Sequence, residues 1–174
     1  MAIKVILDEF QKAEVPQVPG TSLAGREVEA RIESLLIRIN RCFVEEIFPG
    51  IFEMENDLNQ MGYWNQINIG RSAAPDTGKP NIKDLTFFFY PEKVEDVSGY
   101  QRVQEVAYKA AISATGDLRN IRFSHSLPRK IPPTVEQEER IVPVEKVDAQ
   151  AVDLFLEKFI LGALEIYRSD RSLR

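Results

Sequence analysis

The single histidine, His125, is the residue of this chain best suited to acid-base chemistry. From Leu118 to Leu127 the sequence alternates with a period of two, which is typical of a strand and places His125 in phase with Ile121 and Phe123 on the inward face. A catalytic histidine needs a nucleophile or an orienting carboxylate within reach, whereas the adjacent serines alternate to the opposite face. The pattern therefore favours a mostly buried histidine with one hydrogen-bond partner.

The alternative interpretation of His125 is a titratable group in an apolar pocket. Such a pocket would lie between the sheet and the helices, and an apolar cavity with one titratable group is the usual form of a small-ligand or enzyme site. We expect it to be lined by Phe87, Phe89, Phe123 and His125. No catalytic residue can be assigned from this pattern, so an enzyme or ligand-binding protein is the second functional hypothesis.

The other reactive residue types do not form a site. Cys42 is the single cysteine and falls on the apolar side of a predicted helix, whereas a reactive thiol needs a basic, partly exposed setting. Glu53 and Asp57 lie one helical turn apart, as on an ordinary solvated helix face. One histidine, one cysteine and no calcium-loop spacing predict neither a metal site nor a cofactor. Gly78-Lys79 lacks the glycine spacing of a phosphate-binding loop, and a proline follows where that loop has Ser or Thr.

Composition narrows the class of protein. The chain has 174 residues of which 44% are hydrophobic, enough for one domain with a single core. Its 22 basic and 27 acidic residues give a net charge of -5, which argues against a nucleic-acid binder. No apolar run is long enough for a membrane span, and the N-terminus lacks the pattern of a cleaved signal, so we expect a cytoplasmic protein.

The longest helical pattern runs from Arg26 to Met61. A helical period places two apolar stripes on it, and the first is predicted to face the core: Val28, Ile32, Leu35, Leu36, Ile39, Cys42 and Phe43. The second lies more than a quarter-turn away and needs a cover of its own: Ile37, Val44, Phe48 and Ile51. Pro49 cannot donate to the carbonyl four residues before it, which predicts a kink or break near Phe48.

Strands are predicted between this helix and a second one. Trp64 to Ile69 and Asp84 to Tyr90 alternate as strands do, and the loop from Gly70 to Asn81 separates them. Tyr100 to Thr115 fits a helix or a strand, and we interpret it as a strand because the turn residues Thr115-Gly116-Asp117 and a further strand follow. A surface excursion is predicted from the prolines at Pro128 to Pro133 through the polar segment Thr134 to Glu139. Three further features complete the chain: an edge strand at Arg140 to Glu145, a helix cap at Asp148, and a helix from Ala149 to Arg168.

This order of elements predicts an α+β fold in two layers. We expect an antiparallel sheet of four to five strands, with a long kinked N-terminal helix and a C-terminal helix packed on one face. Residues 1–25 contain a proline- and glycine-rich segment and are predicted to be an arm and linker, and residues 26–174 a single α+β domain. The outline resembles that of small bacterial secretion chaperones, an analogy of fold without a motif.

The functional hypothesis is a non-enzymatic protein that binds proteins and acts as a homodimer. Several apolar helix residues have no predicted cover within one chain, and twofold pairing is the commonest way to cover them. The predicted interaction surface consists of Ile37, Val44, Phe48, Ile51, Leu154 and Leu161. Besides the pocket at His125, a peptide-binding chaperone or adaptor is the other alternative.

Overall fold

The computed structural model describes residues 23–72, 81–92, 106–130 and 132–172. The chain divides into two compact units, Met1–Ser34 and Leu35–Arg174. Of the predicted arm and linker, residues 1–22 lie outside the described residues, so the predicted domain boundary stays a prediction.

The described residues form an antiparallel sheet with long helices before and after it, which confirms the predicted α+β class. The helical elements are α1 (Leu23–Cys42), a π-helical turn (Phe43–Ile47), α2 (Phe48–Gln60), a short 3-10 turn (Val144–Lys146) and α3 (Ala149–Ser172). The strands are β1 (Trp64–Ser72), β2 (Asn81–Tyr90), β3 (Tyr108–Ala114), β4 (Asn120–Lys130) and β5 (Pro133–Pro143).

The strands follow one another across the sheet in the order β1-β2-β3-β4-β5, each antiparallel to the next. The predicted turn at Thr115-Gly116-Asp117 joins β3 to β4, where the Thr115 amide donates to the Asn120 carbonyl at 2.9 Å. The ambiguous segment is a strand from Tyr108 to Ala114, and residues 100–105 lie outside the described residues. The same holds for residues 73–80 of the predicted loop between β1 and β2.

The core fills the space between the sheet and the helices. Alternation along β2 turns Leu85, Phe87 and Phe89 inward, and all three are fully buried. The helical stripe of α3 meets them, since the Phe87 and Phe159 rings lie 6.2 Å apart in an edge-on contact. The opposite face of β2 is covered as well, because Phe88 is buried in a small second cluster with Trp64 and Ala107. Both faces of β2 therefore carry buried aromatic side chains.

The predicted break near Phe48 takes the form of the π-helical turn. The Phe48 amide donates to the Phe43 carbonyl five residues before it, one residue further than in an α-helix. Helix α2 then begins with Pro49 in its first two positions, where no intrahelical N–H is required. The wider turn thus accommodates the proline, and helical structure continues to Gln60.

The first stripe of the long helix corrects the sequence interpretation. Val28 and Ile32 were predicted to face the core, but their exposed fractions are 58% and 46%, and the first fully buried residue of the stripe is Ile39. Periodicity identifies which side chains share a helix face but carries no information on whether another element covers that face. Core packing in this helix therefore begins at its C-terminal part.

The predicted surface excursion from Pro128 to Glu139 is wrong in part, because β4 continues to Lys130 and β5 begins at Pro133, although residues 133–139 are exposed as predicted. The β3 ladder ends opposite Ser126, so beyond it, among the described residues, β4 pairs with β5 alone, and Pro128 lies in this two-stranded extension. A proline is tolerated where one side of a strand needs no donor, which explains its position. Strand β5 is the sheet edge, as predicted for the segment around Pro143.

Candidate functional site

The predicted interaction surface is exposed at four of its six positions. Ile37, Val44, Leu154 and Leu161 have exposed fractions of 53%, 55%, 57% and 60%. Leu154 and Leu161 lie seven residues apart on α3, so they share one face of that helix about 10 Å apart. Covering such apolar side chains with a partner lowers the free energy of the system, so these positions favour association.

The other two predicted positions are covered by the chain itself. Ile51 is fully buried, and Phe48 is half-buried. The cause is a close approach of α2 to α3 at Gly50, where a Cβ atom would lie 2.9 Å from the Asp153 carboxylate and 3.3 Å from Val152. Ile51 therefore belongs to the core and lies outside the exposed surface.

A further aromatic residue extends the exposed surface. The Phe43, Phe48 and Phe52 rings succeed one another from the core outward, with centroid distances of 6.1 and 5.4 Å. Phe52 is exposed, whereas Phe43 is fully buried. Phe52 was not predicted from the sequence, although its spacing of one turn from Phe48 is the signal that identifies it. We call Ile37, Val44, Phe48 and Phe52 the α1–α2 face, and Leu154 and Leu161 the α3 face.

His125 lies inward on β4, as its alternation predicts. Its side chain is 8% exposed, and its ring packs near those of Phe155 and Phe159 at 6.3 and 6.4 Å. Burial lowers the pKa of His125 below its ordinary value; the nearby Glu138 carboxylate opposes this, and the Lys158 ammonium reinforces it. The His125 Nε2 atom lies 3.9 Å from Glu138 Oε2, while Lys158 Nζ lies 2.6 Å from the same carboxylate. The neutral imidazole is therefore the favoured form.

The phenylalanines predicted to line a pocket with His125 are tightly packed. Phe87 and Phe89 are fully buried, and the Phe89 ring has an edge-on contact with Tyr63 at 6.1 Å. The Phe123 ring contacts Phe155 at 5.2 Å and borders a small cleft of about 160 Å³ between α3 and β5. The structure thus brings the four residues to one face of the sheet, with aromatic rings of α3 filling much of the space between them.

A larger cavity of about 380 Å³ lies at another end of the sheet. We call it the tyrosine cavity, because Tyr90, Tyr108 and Tyr167 line it. The Tyr90 and Tyr167 rings meet edge-on at 6.0 Å. Charged side chains of both signs complete its lining: Glu92, Lys130, Asp170 and Arg171.

The tyrosine cavity contains a buried carboxylate. Asp170 is 6% exposed, and its Oδ2 atom accepts the backbone N–H of Lys130 at 2.8 Å. Its Oδ1 atom is also buried and has no hydrogen-bond donor among the described residues. A buried carboxylate oxygen without a donor is costly, so this atom marks a place where a donor would bind favourably.

The Tyr108 and Tyr167 hydroxyls of this cavity stay protonated because their pKa values are raised. Burial raises the pKa of Tyr108, and the charge of Asp170 raises it further. Burial also raises the pKa of Tyr167 to about 12, with a contribution from the hydrogen bond that its hydroxyl donates to Glu92. Arg171 lies over the Tyr167 ring, with its guanidinium carbon 5.7 Å from the ring centroid. The cavity therefore combines neutral phenol groups, aromatic faces and a buried anion.

The tyrosine cavity was not predicted from the sequence because its residues come from four separate elements, β2, β3, β4 and α3. The antiparallel register pairs Phe89 with Tyr108 and so brings the ends of the two strands together, which alternation alone does not predict. One feature of the sequence could have indicated the tyrosine cavity. Asp170 lies in the last turn of α3, where the helix dipole disfavours an acidic residue and arginines surround it.

Three further features of the described residues bear on chemistry: the grouping of possible metal ligands, the length and polarity of the helices, and the Cys42 thiol. Within these ranges no group of three or more His, Cys, Asp or Glu side chains is placed to hold a metal ion. None of the described helices is long and apolar enough to cross a membrane. Cys42 is 5% exposed, and burial, with the charge of Glu46, raises its pKa to about 11, in agreement with its predicted place in the core.

Comparisons with protein-family models, with curated proteins and with solved structures gave no significant match. The two-layer α+β fold is thus the class to which the chain can be assigned. Because a fold class does not determine a function, we infer function from the surfaces and side chains described above.

Proposed function

We propose that the protein is a non-enzymatic interaction protein that acts as a homodimer through its exposed apolar helix faces. The observation that supports this most directly is the exposure of Leu154 and Leu161, at 57% and 60%, on one face of α3. Fully burying one leucine side chain contributes about 1.5–3 kcal/mol, so four leucines in a twofold contact are a substantial driving force. Twofold pairing is the commonest form of self-association.

The spacing of the two leucines suits an antiparallel contact between two copies of α3. In a twofold interface a residue that contacts a second position is itself contacted by that position, so Leu154 of each copy would pack on Leu161 of the other. The exposed residues Glu157 and Lys158 lie between them, and Lys158 already pairs with Glu138. The net charge of -5 per chain causes electrostatic repulsion between two copies and so disfavours association. The favourable free energy of the contact must therefore come from apolar side chains at its centre.

The α1–α2 face offers a second apolar area. Ile37 and Val44 are more than half exposed, and ion pairs border them, between Arg38 and Glu145 and between Arg41 and Glu45. An apolar centre with a charged rim is the usual composition of a protein interface. We assign this face to the same homodimer or to a further protein partner.

Sedimentation velocity at micromolar concentration tests the proposal. We expect a dimer for the wild-type chain and a monomer for Leu161→Asp, because an aspartate would be buried without a partner in the contact. Ala149→Asp is the matched control, since it adds the same charge at an exposed position of α3 that lies about 140° around the helix from Leu154. Val44→Asp tests the α1–α2 face in the same way, and circular dichroism confirms that each variant is folded. A wild-type monomer, or a dimer that Leu161→Asp and Val44→Asp leave intact, would refute the proposal.

The second candidate function is the capture of an extended peptide, favoured by the exposed edge strand β5. Residues 133–141 of β5 are exposed, and β4 is its only neighbour in the sheet of described residues. Extended peptides add to such edges as a further strand. Three glutamates of β5 would attract a basic peptide, although each already has a cationic partner: Arg129 for Glu136, Lys158 for Glu138 and Arg122 for Glu139.

Fluorescence anisotropy with a labelled peptide of alternating lysine and valine tests this second function. Peptide capture predicts saturable binding that survives Leu161→Asp, because the α3 face is not involved. Absence of binding at low ionic strength, where charge attraction is strongest, would exclude it.

A further inference from the structure

We propose that the tyrosine cavity binds a small organic molecule through a primary ammonium group, which Asp170 recognises. This site is independent of the proposed homodimer. The carboxylate is 6% exposed, and the backbone N–H of Lys130 occupies its Oδ2 atom at 2.8 Å. The Oδ1 atom is buried without a donor, and Asp170 lines the cavity. A ligand that brings an N–H to this oxygen makes a charge-assisted hydrogen bond that the part of the chain described by the structure does not supply.

The surroundings of Asp170 favour a positive charge. The residue lies in the last turn of α3, where the carbonyl ends of the helix carry a partial negative charge that adds to that of the carboxylate. Glu92 contributes a second carboxylate to the lining. The helix end and the Glu92 carboxylate both stabilise a cation beside Asp170, and both destabilise an anion there.

The aromatic lining favours a cation as well. Ring faces of tyrosine attract cations, and Tyr167 already holds the Arg171 guanidinium at 5.7 Å from its centroid. Tyr90 and Tyr108 line the same cavity. An alkylammonium ligand would place its charge at Asp170 and its methylene groups against these rings.

A primary ammonium fits better than the other cations. A quaternary ammonium has no N–H and would leave Oδ1 without a donor. A metal ion is disfavoured because burial and the charge of Asp170 keep the Tyr108 hydroxyl protonated by raising its pKa, so this residue supplies no phenolate ligand. The volume of about 380 Å³ lies at the lower end of the range for ligand pockets, which selects a small molecule.

The Lys130 and Arg171 side chains, which line the cavity, limit the charges that the rest of the ligand can carry. These two cations balance the two carboxylates, so the cavity attracts ligands by local contact with Asp170 and not by a strong overall field. A carboxylate at the far end of the ligand would be compatible with them, whereas a second ammonium would not. The probes are therefore monoamines: butylamine, and 4-aminobutyrate as its zwitterionic counterpart.

Titration of the ¹⁵N-labelled full chain, followed by NMR, tests the proposal. We expect saturable shifts of the Lys130 and Asp170 amides with butylamine or 4-aminobutyrate, and none of that size with tetramethylammonium or butanol. Asp170→Asn should weaken binding roughly ten- to a hundredfold, the range for a hydrogen bond to a charged group. Asp153→Asn is the matched control, an exposed aspartate on the same helix that should bind as the wild type does.

The comparison of probes uses the wild-type chain and so does not depend on the folding of any variant. Equal binding of butylamine and tetramethylammonium, no saturable shift with either amine, or unchanged affinity in a folded Asp170→Asn chain would each overturn the proposal. Loss of self-association in Leu161→Asp without loss of amine binding would show that the homodimer contact and the amine site are independent of each other.

Discussion

Acidification below pH 6.5 should destabilise the folded chain through His125. Burial between Phe155 and Phe159 lowers the pKa of this imidazole in the folded state, whereas the unfolded chain keeps the ordinary value of 6.5. Between these two values the unfolded chain binds more protons, so acid favours unfolding. The contribution of His125 to stability is therefore fully present above pH 6.5 and is lost as the pH falls from 6.5 towards the folded pKa.

The size of the effect has an upper limit. One proton taken up on unfolding changes the free energy of unfolding by at most about 1.4 kcal/mol per pH unit. The chain has one histidine, so no second imidazole contributes to the slope. The Glu138 carboxylate, with Oε2 at 3.9 Å from Nε2, reduces the effect, and Lys158 restores part of it by pairing with the same carboxylate at 2.6 Å.

Two measurements check the reasoning. Urea denaturation between pH 7.5 and 5.5 should give a free energy of unfolding that falls with pH in the wild type and a flatter curve in His125→Gln. NMR titration of the single imidazole should show its pKa rise in Lys158→Met, because the Glu138 carboxylate then acts on the imidazolium without competition. Glu138→Gln should move the pKa of His125 in the opposite direction.

An imidazole pKa above 6.5 in the folded wild type would refute the reasoning, since it would mean that Glu138 outweighs burial. Identical pH dependence in the wild type and in His125→Gln would refute it as well. The variant Arg122→Met serves as a control, because Arg122 pairs with Glu139 on β5 and is absent from the groups that shift the pKa of His125.

Three further predictions concern the core and the helix ends. Because the Cys42 thiol is 5% exposed and its pKa is raised to about 11, iodoacetamide at pH 8 should label it far more slowly in the folded chain than in urea, as mass spectrometry would show. Asp148→Ala should lower the free energy of unfolding by about 1 kcal/mol in urea melts, because the carboxylate accepts an N–H of the first turn of α3 at 2.8 Å. Gly162→Leu should lower the free energy of unfolding by about 1–3 kcal/mol, because a Cβ atom there would lie 2.9 Å from the buried Leu127 methyl group. Gly116→Ala is the control and should change the free energy of unfolding little in the same melts, because no atom lies within 4 Å of its Cβ position.

Much of the sheet could be predicted because its signals are local. Alternation on β2 and β4 identified the inward faces, including that of His125, and turn residues identified the hairpin between β3 and β4. The length of β5 could not be predicted in this way. Its first part, from Thr134 to Glu139, is polar on both faces, and what holds it is its pairing with β4 and cation partners such as Arg129 and Arg122. These are long-range contacts that no local pattern reports.

The same difference between local and long-range signals applies to the candidate sites. Leu154 and Leu161 were predicted and are exposed, because a helical period suffices to place two residues on the face of α3 away from its core stripe. The tyrosine cavity was not predicted, because it depends on the register of β2 with β3 and on the position of the last turn of α3. A buried aspartate with one unpartnered oxygen is likewise visible only in three dimensions.

The long N-terminal helical segment shows why exposure had to be determined from the structure. Val28, in the stripe predicted to face the core, is exposed, whereas Ile51, in the stripe predicted to need a cover of its own, is fully buried. Cover begins near Asn40, whose side-chain oxygen accepts the Ile82 backbone N–H of β2 at 2.8 Å. The apolar residues that remain for a partner are therefore those before this contact and those, such as Val44, that point away from the sheet. A partner of this helix should accordingly depend on Ile37 and Val44 and be insensitive to conservative changes at Ile51.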